Sequence, residues 1–457
     1  MLYRRSVRNY LIGLAGAILA VNSAVAQTLW YVDDDAPNDP GPGDPTVSDP
    51  LEDGSAEHPF DAIQEGIDAA VDGDTVLVLD GTYAGLGNKN LDFGGRLITV
   101  RSENGPDTCI IDCEGQGRGF YFHSGETADA VVDGFTITKG DSPGGSGVLC
   151  SESSPTITGC NITGGTTAWA GGGICCVWST TVIANCAITE NTAEWSGGGV
   201  YSELSDVRIV NCLIAGNRAQ DFGGGVSGGF SGNAAISNCT IVGNDARSDC
   251  AAGVSSRGET TIANCVLWGN TPFEIRDCFG TMVVRYSDIQ GSWPGLGNID
   301  ADPLFVDPDG PDDDPSTWED NDYRLAAGSP CIDAGCNCGV LRDVADLDGD
   351  GDTDEYTPFD LDGEGRFFDD PATEDTGSGL PPIVDMGAYE FGGSDPSPCR
   401  GDLDGDRDVD WDDLTVLLEN YGTLEGATGV DGDMDCDGDV ELSDLAKLLS
   451  VYGTICE

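Results

Sequence analysis

The chain has few cationic residues. It carries 20 Lys and Arg residues against 81 Asp and Glu residues, which gives a formal net charge of -61 at pH 7. A negative field of this size repels nucleic acid and anionic lipid and attracts cations, so nucleic acid is not an expected partner. More than half of the acidic residues follow Asp300. The attraction for cations is therefore concentrated in the last third of the chain.

Histidine and long apolar runs are also scarce. The chain has only two His residues and no Cys-x-x-Cys pair, which argues against metal binding by its cysteines. Within residues 1–26, basic residues precede an apolar run from Leu11 to Val21 and the small residues Ala24-Val25-Ala26. This order predicts a signal peptide and an extracellular, secreted or cell-surface protein. No later run approaches the roughly 18 apolar residues of a membrane span, so none is expected in the mature chain.

A repeated phrase, I-x-N-C-x-I, fills the chain between Val131 and Ile289. Its cysteines are Cys160, Cys186, Cys212, Cys239 and Cys265. They follow one another at a nearly constant step of about 26 residues, which predicts a solenoid. Coils of about 26 residues are too short for paired helices and suit three short strands joined by turns.

The repeat also predicts what fills the interior. A second apolar series keeps the same spacing: Val148, Ile174, Val200, Val226 and Val254. We expect both series to point inward as ladders about 4.8 Å apart, the strand spacing. The asparagines before the cysteines suit a left-handed bend, so we expect these side chains to stack amide to amide. They are Asn185, Asn211, Asn238 and Asn264.

The cysteine ladders allow two interpretations. Neighbouring coils lie within disulfide reach, so cross-coil bridges are one. The other is small buried thiols that pack well, which we favour for the five-membered ladder. For Cys150 and Cys176, one coil apart, both interpretations stay open.

An amphipathic helix is predicted before the first coil. Phe60, Ile63, Ile67 and Val71 recur at helical spacing and form one apolar stripe. Such a helix would cover the open end of a solenoid core. Residues 27–58 are expected to form an exposed loop leading into the coils, after one short strand at Leu29–Val32.

The order of helix and coils resembles that of secreted bacterial right-handed parallel β-helix proteins of pectin lyase-like architecture. The phrases Arg101-Ser-Glu-Asn-Gly-Pro106 and Gly119-Phe-Tyr-Phe-His-Ser124 carry the likeness, which covers residues 59–300. The resemblance implies an all-β fold, a right-handed parallel β-helix solenoid with an N-terminal capping helix. It says little about activity.

Residues 301–395 lack the repeat but contain three recognisable phrases. These are Asp302-Pro-Leu-Phe-Val306, the stretch from Asp322 to Gly335 with Cys-Ile-Asp-Ala-Gly at its end, and Val384-Asp-Met-Gly-Ala-Tyr-Glu-Phe391. Together they resemble the segment that closes many exported β-helix proteins upstream of surface-anchoring modules. The resemblance implies a capping and presentation role.

The C-terminal residues carry the strongest chemical signal, a duplicated acidic loop. Acidic residues occupy positions 1, 3, 5, 7, 9 and 12 of two stretches, one that begins at Asp402 and one that begins at Asp433. The predicted calcium ligands are Asp402, Asp404, Asp406, Asp408 and Asp413 in the first loop and Asp433, Asp435, Asp437, Asp439 and Asp444 in the second. Calcium needs six to eight oxygens, and this spacing wraps one loop around one ion. Each loop runs into a helix with a Leu-Leu-Leu-Tyr stripe.

This unit resembles the type I dockerin domain over residues 399–457. The resemblance implies a small α-helical calcium-loop domain that binds a cohesin-like or other cell-surface protein. Arg407 replaces the usual Gly at position 6, a departure expected to weaken the first site. A disulfide between Cys399 and Cys456, which bracket the unit, is a hypothesis.

A third acidic run could also bind calcium. Asp346, Asp348, Asp350 and Asp352 fit the first loop positions, but position 12 is Thr357. An ordinary acidic loop is the alternative.

No catalytic residues can be assigned from the coils. Lyases of this fold use acids that hold calcium plus an Arg or Lys base, and its hydrolases use clustered Asp residues. The positions predicted to point outward form two rows: Leu149, Cys175, Tyr201, Ser227 and Ser255, then Ser151, Val177, Glu203, Gly229 and Arg257. They contain no paired acids, and Glu203 and Arg257 are interpreted as solvated charges.

Aromatic residues precede the Gly-rich turns at the same step. Trp169, Trp195 and Phe222 could bind sugar rings or pack the turns, and packing is favoured. The sequence thus favours a non-catalytic protein with a calcium-bound tail, associated with polysaccharide binding or breakdown. The alternative is a carbohydrate-active enzyme, a polysaccharide lyase or glycoside hydrolase.

Overall fold

The computed structural model describes most of the chain from residue 27 to residue 452. The described residues are 27–34, 51–248, 253–278, 280–312, 317–318, 320–344, 346–347, 353, 355–392, 403, 409–423, 427, 431–434, 439–450 and 452.

Three long parallel sheets form the body, with a fourth, shorter sheet. Sheet 1 contains Leu29–Val32, Thr75–Val78, Thr99–Ser102, Val131–Asp133, Thr156–Thr158, Val182–Ala184, Asp206–Val210, Asn233–Ser237, Glu259–Ala263 and Thr281–Arg285. Sheet 2 contains Gly81–Tyr83, Cys109–Asp112, Thr136–Thr138, Asn161–Thr163, Ala187–Thr189, Leu213–Ala215, Thr240–Val242, Val266–Trp268 and Asp288–Ile289. Sheet 3 contains Phe120–Phe122, Val148–Ser151, Ile174–Val177, Val200–Glu203, Val226–Phe230, Val254–Arg257 and Ile275–Asp277. Sheet 4 contains Thr166–Thr167, Thr192–Ala193, Arg218–Ala219 and Asp245–Ala246.

Each coil visits the sheets in the same order, and each strand pairs with the strand one coil away. Ile183 of sheet 1 pairs with Ile157 in the preceding coil and with Ile209 in the next. Because every strand is hydrogen-bonded on both sides by its own repeats, only short apolar runs are needed to form it. The predicted parallel β-helix is confirmed, with one coil for each step of the sequence repeat.

The predicted interior is confirmed as well. The five cysteines of the repeat and the five aliphatic residues of the second series are buried in one continuous core. The ladder cysteines remain thiols, and each donates its S–H to the carbonyl two residues earlier, as Cys186 does to Ala184 O at 3.1 Å. Cys150 and Cys176 are register partners and are also free thiols, so the thiol interpretation holds at both places.

The bend between sheets 1 and 2 contains the asparagines that precede the cysteines, here called the outer asparagines. All four have left-handed backbone angles, with φ between 49° and 54°. The predicted amide ladder is nevertheless wrong as a continuous feature. Asn211 Nδ2 donates to Asn185 Oδ1 at 3.1 Å, but Asn264 Nδ2 donates to Cys336 O at 2.8 Å. Residues that follow the coils in the chain pack on this bend and form hydrogen bonds with the asparagine amides.

A continuous ladder forms instead from four buried asparagines one strand further on, here called the inner asparagines. They are Asn191, Asn217, Asn244 and Asn270, three residues after the inward Ile or Leu of sheet 2. Asn217 Oδ1 accepts hydrogen bonds from Asn191 N and Asn191 Nδ2 at 3.0 and 3.1 Å. Asn217 Nδ2 donates to Ile188 O at 2.7 Å. Each buried amide is thus satisfied by the coils beside it.

Helix α1, Ile63–Ala69, closes the N-terminal end of the core. Ile63 and Ile67 are buried in the same core as Val32 of sheet 1. Val71 lies beyond the helix and is 57% exposed, so its place in the predicted stripe is wrong. The strand Leu29–Val32 pairs in parallel with Thr75–Val78. The predicted strand is therefore confirmed as the first strand of sheet 1, and residues 35–50 of the expected loop lie outside the described residues.

The described residues between 301 and 392, here called the closing segment, run back along the bend of the outer asparagines. They contain the antiparallel pair Phe305–Asp307 and Asp322–Leu325, a short 3-10 helix at Asn337–Gly339 and a disulfide between Cys336 and Cys338. Another short 3-10 helix, Leu86–Asn88, lies near α1.

A buried arginine fastens the closing segment to the solenoid. Arg366 is fully buried and donates to Asn211 Oδ1 and to Ala388 O, both at 2.8 Å. It also pairs with the buried Glu390 carboxylate at 3.4 Å. Because these groups have no access to water, each depends on the others for its hydrogen bonds.

Two further helices lie in the C-terminal part, α2 at Trp411–Asn420 and α3 at Leu442–Ser450. Leu417 of α2 and Leu448 of α3 are fully buried in a small separate core. Among the described residues, no helix combines the length and the apolar character that crossing a membrane requires.

Candidate functional site

The two predicted calcium loops are described in part. Asp413, Asp433, Asp439 and Asp444 lie within the described residues. Asp402, Asp404, Asp406, Asp408, Asp435 and Asp437 lie outside them.

The last acidic residue of each loop occupies an equivalent position. Asp413 Oδ1 accepts a hydrogen bond from Leu403 N at 2.6 Å, and Oδ2 accepts one from Asp410 N at 2.7 Å. In the second loop Asp444 accepts bonds from Met434 N at 2.7 Å and Glu441 N at 2.8 Å.

These contacts make both acids the anchors of their loops. The hydrogen bonds join the start of each loop to the first turn of the helix that follows it. Every partner in the first loop has its counterpart at the same position of the second loop. The tail is therefore a structural duplication as well as a sequence one.

The described acids suit a hard cation. Asp413 and Asp444 are fully buried, and Asp433 is 1% exposed. Backbone N–H groups offset part of the cost of burying Asp413 and Asp444, and a bound cation would offset more of it. Carboxylate oxygens at loop positions 1 and 12 are the kind of donor that calcium prefers.

Calcium binding by the third acidic run, which begins at Asp346, stays a prediction. Asp346 has a left-handed backbone angle, with φ of 52°, and its N–H donates to Asp343 O at 3.2 Å. Asp348, Asp350 and Asp352 lie outside the described residues.

The outward row of sheet 3 is less accessible than predicted. Cys175, Tyr201, Ser227 and Ser255 follow one another in register, yet each is at most 2% exposed. The reason lies in the loop before each strand. Its aromatic residues fold over the face, so that Trp169 and Trp195 approach the Tyr201 ring at 6.0 and 5.8 Å.

The aromatic residues pack the turns and also form a surface. The Trp169 and Trp195 rings stack with centroids 6.2 Å apart and planes 17° from parallel. Trp169 remains 38% exposed. The interpretation of these residues as packing groups is therefore right, although one face of the stack stays open to solvent.

A second apolar row borders the other end of the same strands. Trp178, Leu204 and Phe230 recur once per coil and are 58%, 43% and 63% exposed. Together with Trp169, Trp195 and Phe222 they define what we call the aromatic face of sheet 3. Large apolar side chains exposed in rows mark interaction surfaces more often than single exposed residues do.

The charged residues on this face are held by contacts. Arg257 lies over the Phe222 ring at 4.0 Å and over the Phe230 ring at 4.9 Å. Glu203 accepts a hydrogen bond from the Tyr201 hydroxyl at 3.1 Å, and burial raises the pKa of Tyr201. The interpretation of Glu203 and Arg257 as solvated charges is thus wrong, because both are half-buried and partnered.

Clusters of three acids occur elsewhere. Within the described part of the chain, carboxylates close enough to share one ion occur as Glu52 with Asp61 and Glu65, and as Asp333 with Asp369 and Asp375. Neither group includes a residue of sheet 3.

Comparison with known proteins identifies the fold. A family described as "right handed beta helix region" matches residues 99–271. The crystal structure of pectate lyase Pel9A is similar over 81% of this chain and 98% of its own, with 14% identity and a TM-score of 0.44. Pectin methylesterase from Aspergillus niger is 16% identical over 60% of this chain and 89% of its own, with a TM-score of 0.30.

A rhamnogalacturonan lyase is 12% identical over 65% of this chain and 96% of its own, with a TM-score of 0.31. No curated protein matches the chain. The family match over residues 99–271 agrees with the parallel coils described above and shows a right-handed β-helix there. With TM-scores below 0.5, the three solved structures carry no argument about this chain.

Proposed function

We propose that this chain is a secreted, non-catalytic β-helix protein that binds a polysaccharide and is attached to a partner protein by a calcium-loaded tail. The observation that carries the proposal is the duplicated tail, in which Asp413 and Asp444 are buried and anchor their loops through equivalent contacts. A loop of acidic residues wrapped around calcium has a fixed shape only when the ion is bound. Attachment to the partner protein would then depend on calcium.

The aromatic face supports the polysaccharide part of the proposal. Sugar rings present apolar C–H faces, which aromatic side chains cover while hydroxyl groups find polar partners nearby. Coils about 4.8 Å apart repeat the aromatic residues along the solenoid. An extended chain molecule fits such a row better than a compact ligand does. Arg257 and Glu203 supply polar contacts between the two rows.

Calcium titration of the mature chain tests the tail. We expect calcium to increase helical circular dichroism and a chelator to reverse the increase. Asp444→Ala should weaken calcium binding, because it removes the buried anchor of the second loop. Glu419→Ala, at an exposed position of α2, is the matched control. Equal calcium affinity in both variants would contradict the assigned ligand role.

Affinity electrophoresis in gels that contain pectin, alginate or xylan tests the aromatic face. We expect retardation by at least one polysaccharide, and loss of retardation in the double variant Trp169→Ala, Phe230→Ala. Trp411→Ala is the matched control, because this tryptophan is 63% exposed but lies on α2. Retardation that persists in the double variant would exclude this face as the binding surface.

A carbohydrate-active enzyme is the second candidate function. The observation that favours it is an acid, Glu203, and a cation, Arg257, on strands of the same sheet, both half-buried. New reducing ends or unsaturated products that disappear in Glu203→Gln would establish this alternative. Absence of products with every polysaccharide that binds would support the non-catalytic function.

A further inference from the structure

The closing segment contains a carboxylate in an unusual environment. Asp333 is fully buried, and neither of its side-chain oxygens has a hydrogen-bond donor. Its backbone is firmly placed, since Asp333 N donates to Asp385 Oδ1 at 2.7 Å and Asp333 O accepts from Thr376 N at 2.9 Å. The side chain is thus held in a fixed direction without a polar partner from the described protein atoms.

Two other carboxylates lie close to this one. Oxygens of Asp333, Asp369 and Asp375 all lie within 4.8 Å of one another. Burial and the charges of these neighbours raise the pKa of Asp333 to about 7, and the Asp370 N–H opposes this rise without reaching hydrogen-bond geometry. Asp369 and Asp375, gathered around the buried, unbonded Asp333 carboxylate, repel it and each other unless a cation lies between the three.

No side chain supplies that cation in the described part of the chain. The nearby buried guanidinium, Arg366, is occupied by Asn211, Ala388 and Glu390. The closing segment also buries Asp360 and Asp385, each at 1% exposure. Its interior therefore holds more carboxylates than this one guanidinium can offset.

The loop between the two partner acids is shaped to present them together. Asp370 forms a local turn, in which its side chain accepts from Ala372 N at 3.2 Å and from the Thr373 hydroxyl at 2.7 Å. This turn leaves Asp369 and Asp375 at the two ends of the loop, facing Asp333. Asp375 is exposed and Asp369 half-buried. Solvent thus reaches the cluster from one side, as entry and hydration of an ion require.

We propose that Asp333, Asp369 and Asp375 bind one calcium ion, which ties the loop of residues 369–375 to the Ile332–Gly335 stretch. The donor set consists of oxygen only, which suits a hard cation and excludes the nitrogen and sulfur ligands that zinc prefers. Three carboxylates and water complete the six to eight oxygens that calcium takes. The ion stabilises the closing segment where it lies on the outer asparagines.

Counting the ions bound by the mature chain tests the proposal. The protein is stripped with a chelator, dialysed against calcium and analysed for bound metal. The double variant Asp369→Asn, Asp375→Asn should bind one calcium ion fewer per chain than the wild type. Glu374→Gln, in the same loop but outside the cluster, should bind the wild-type number. The difference between variants separates this site from ions held by the tail.

Limited proteolysis gives a second readout that does not depend on stoichiometry. Calcium should protect the 369–375 loop from cleavage in the wild type and in Glu374→Gln, but not in Asp375→Asn. The exposed position of Asp375 makes this single variant compatible with folding. An unchanged ion count in the double variant would overturn the proposal. Occupation by magnesium in preference to calcium would overturn the identity of the ion.

Discussion

Glu274 ends the series of inner asparagines, and Glu274→Gln tests the effect of its charge. Asn270 N donates to Glu274 Oε1 at 3.0 Å, and Asn270 Nδ2 donates to Oε2. The carboxylate thus occupies the place that an asparagine amide oxygen takes in the earlier coils, as Asn244 Oδ1 does for Asn217. Only 7% of Glu274 is exposed.

The effect of this charge on the free energy of unfolding follows from the pKa of Glu274. Burial raises the pKa of Glu274 from 4.5 to about 7, and the two bonds from Asn270 offset only part of this rise. A higher pKa in the folded chain means that folding favours the protonated acid. Its contribution to the free energy of unfolding is complete below pH 4.5 and is lost as the pH rises through about 7. At about 1.4 kcal/mol per pKa unit, the loss amounts to about 3 kcal/mol.

Urea unfolding of the wild type and of Glu274→Gln between about pH 4 and about pH 8 measures this loss. The variant cannot titrate, and its amide oxygen still accepts from Asn270. Its free energy of unfolding should therefore fall by about 3 kcal/mol less than that of the wild type across this range. Other buried acids titrate in the same range, such as Asp288, whose pKa burial raises to about 6. The difference between the two proteins cancels their effect.

The exposed Glu259→Gln variant is the control and should follow the wild type at every pH. Parallel curves for the wild type and Glu274→Gln would refute the reasoning. They would mean that the carboxylate at the end of the ladder is solvated, or is neutralised by a group that the folded chain places beside it.

Two further variants test the buried polar contacts. Asn217→Ala removes four buried side-chain hydrogen bonds and should lower the free energy of unfolding by about 4 kcal/mol in urea titrations. The exposed Asn104→Ala should change it by less than about 0.5 kcal/mol. Arg366→Ala leaves Glu390 buried without its cation. It should lower the free energy of unfolding by about 3–5 kcal/mol and make the closing segment more susceptible to protease. Arg324→Ala breaks a half-exposed ion pair with Asp362 and should lower the free energy of unfolding by less than about 1 kcal/mol. Equal losses of stability in the two arginine variants would contradict the role given to Arg366.

The coils were predictable because each one repeats the same short sequence pattern. The step between cysteines fixed the coil length, and the alternation of Ile and Cys around one Asn fixed which side chains face inward. Any coil gains its strands by pairing with copies of itself, so no distant part of the chain was needed. The inner asparagines carry the same step, and reading the sequence three residues past each inward Ile would have found Asn217 and its equivalents.

The surface was less predictable, because distant residues cover it. Tyr201 points outward by alternation, yet it is buried since Trp169 and Trp195 fold over it from neighbouring loops. The outer asparagines face outward with the expected backbone angles, but the closing segment occupies them. Neither outcome follows from spacing within one coil.

The cluster at Asp333 shows the same limit. Asp369 and Asp375 look like ordinary acids of a polar loop in the sequence, and Asp333 lies well before them in a separate phrase of the closing segment. Only the folded chain places the three carboxylates together and removes the hydrogen-bond donors from Asp333.

The sequence by itself determined the solenoid and the duplicated acidic tail, because short repeated residue patterns specify the local geometry of both. The tertiary structure alone decided where the closing segment lies, which outward side chains stay open and which carboxylates meet. Those outcomes depend on contacts between residues far apart in the chain, and such contacts are set by how the packed surfaces fit, which no local pattern encodes.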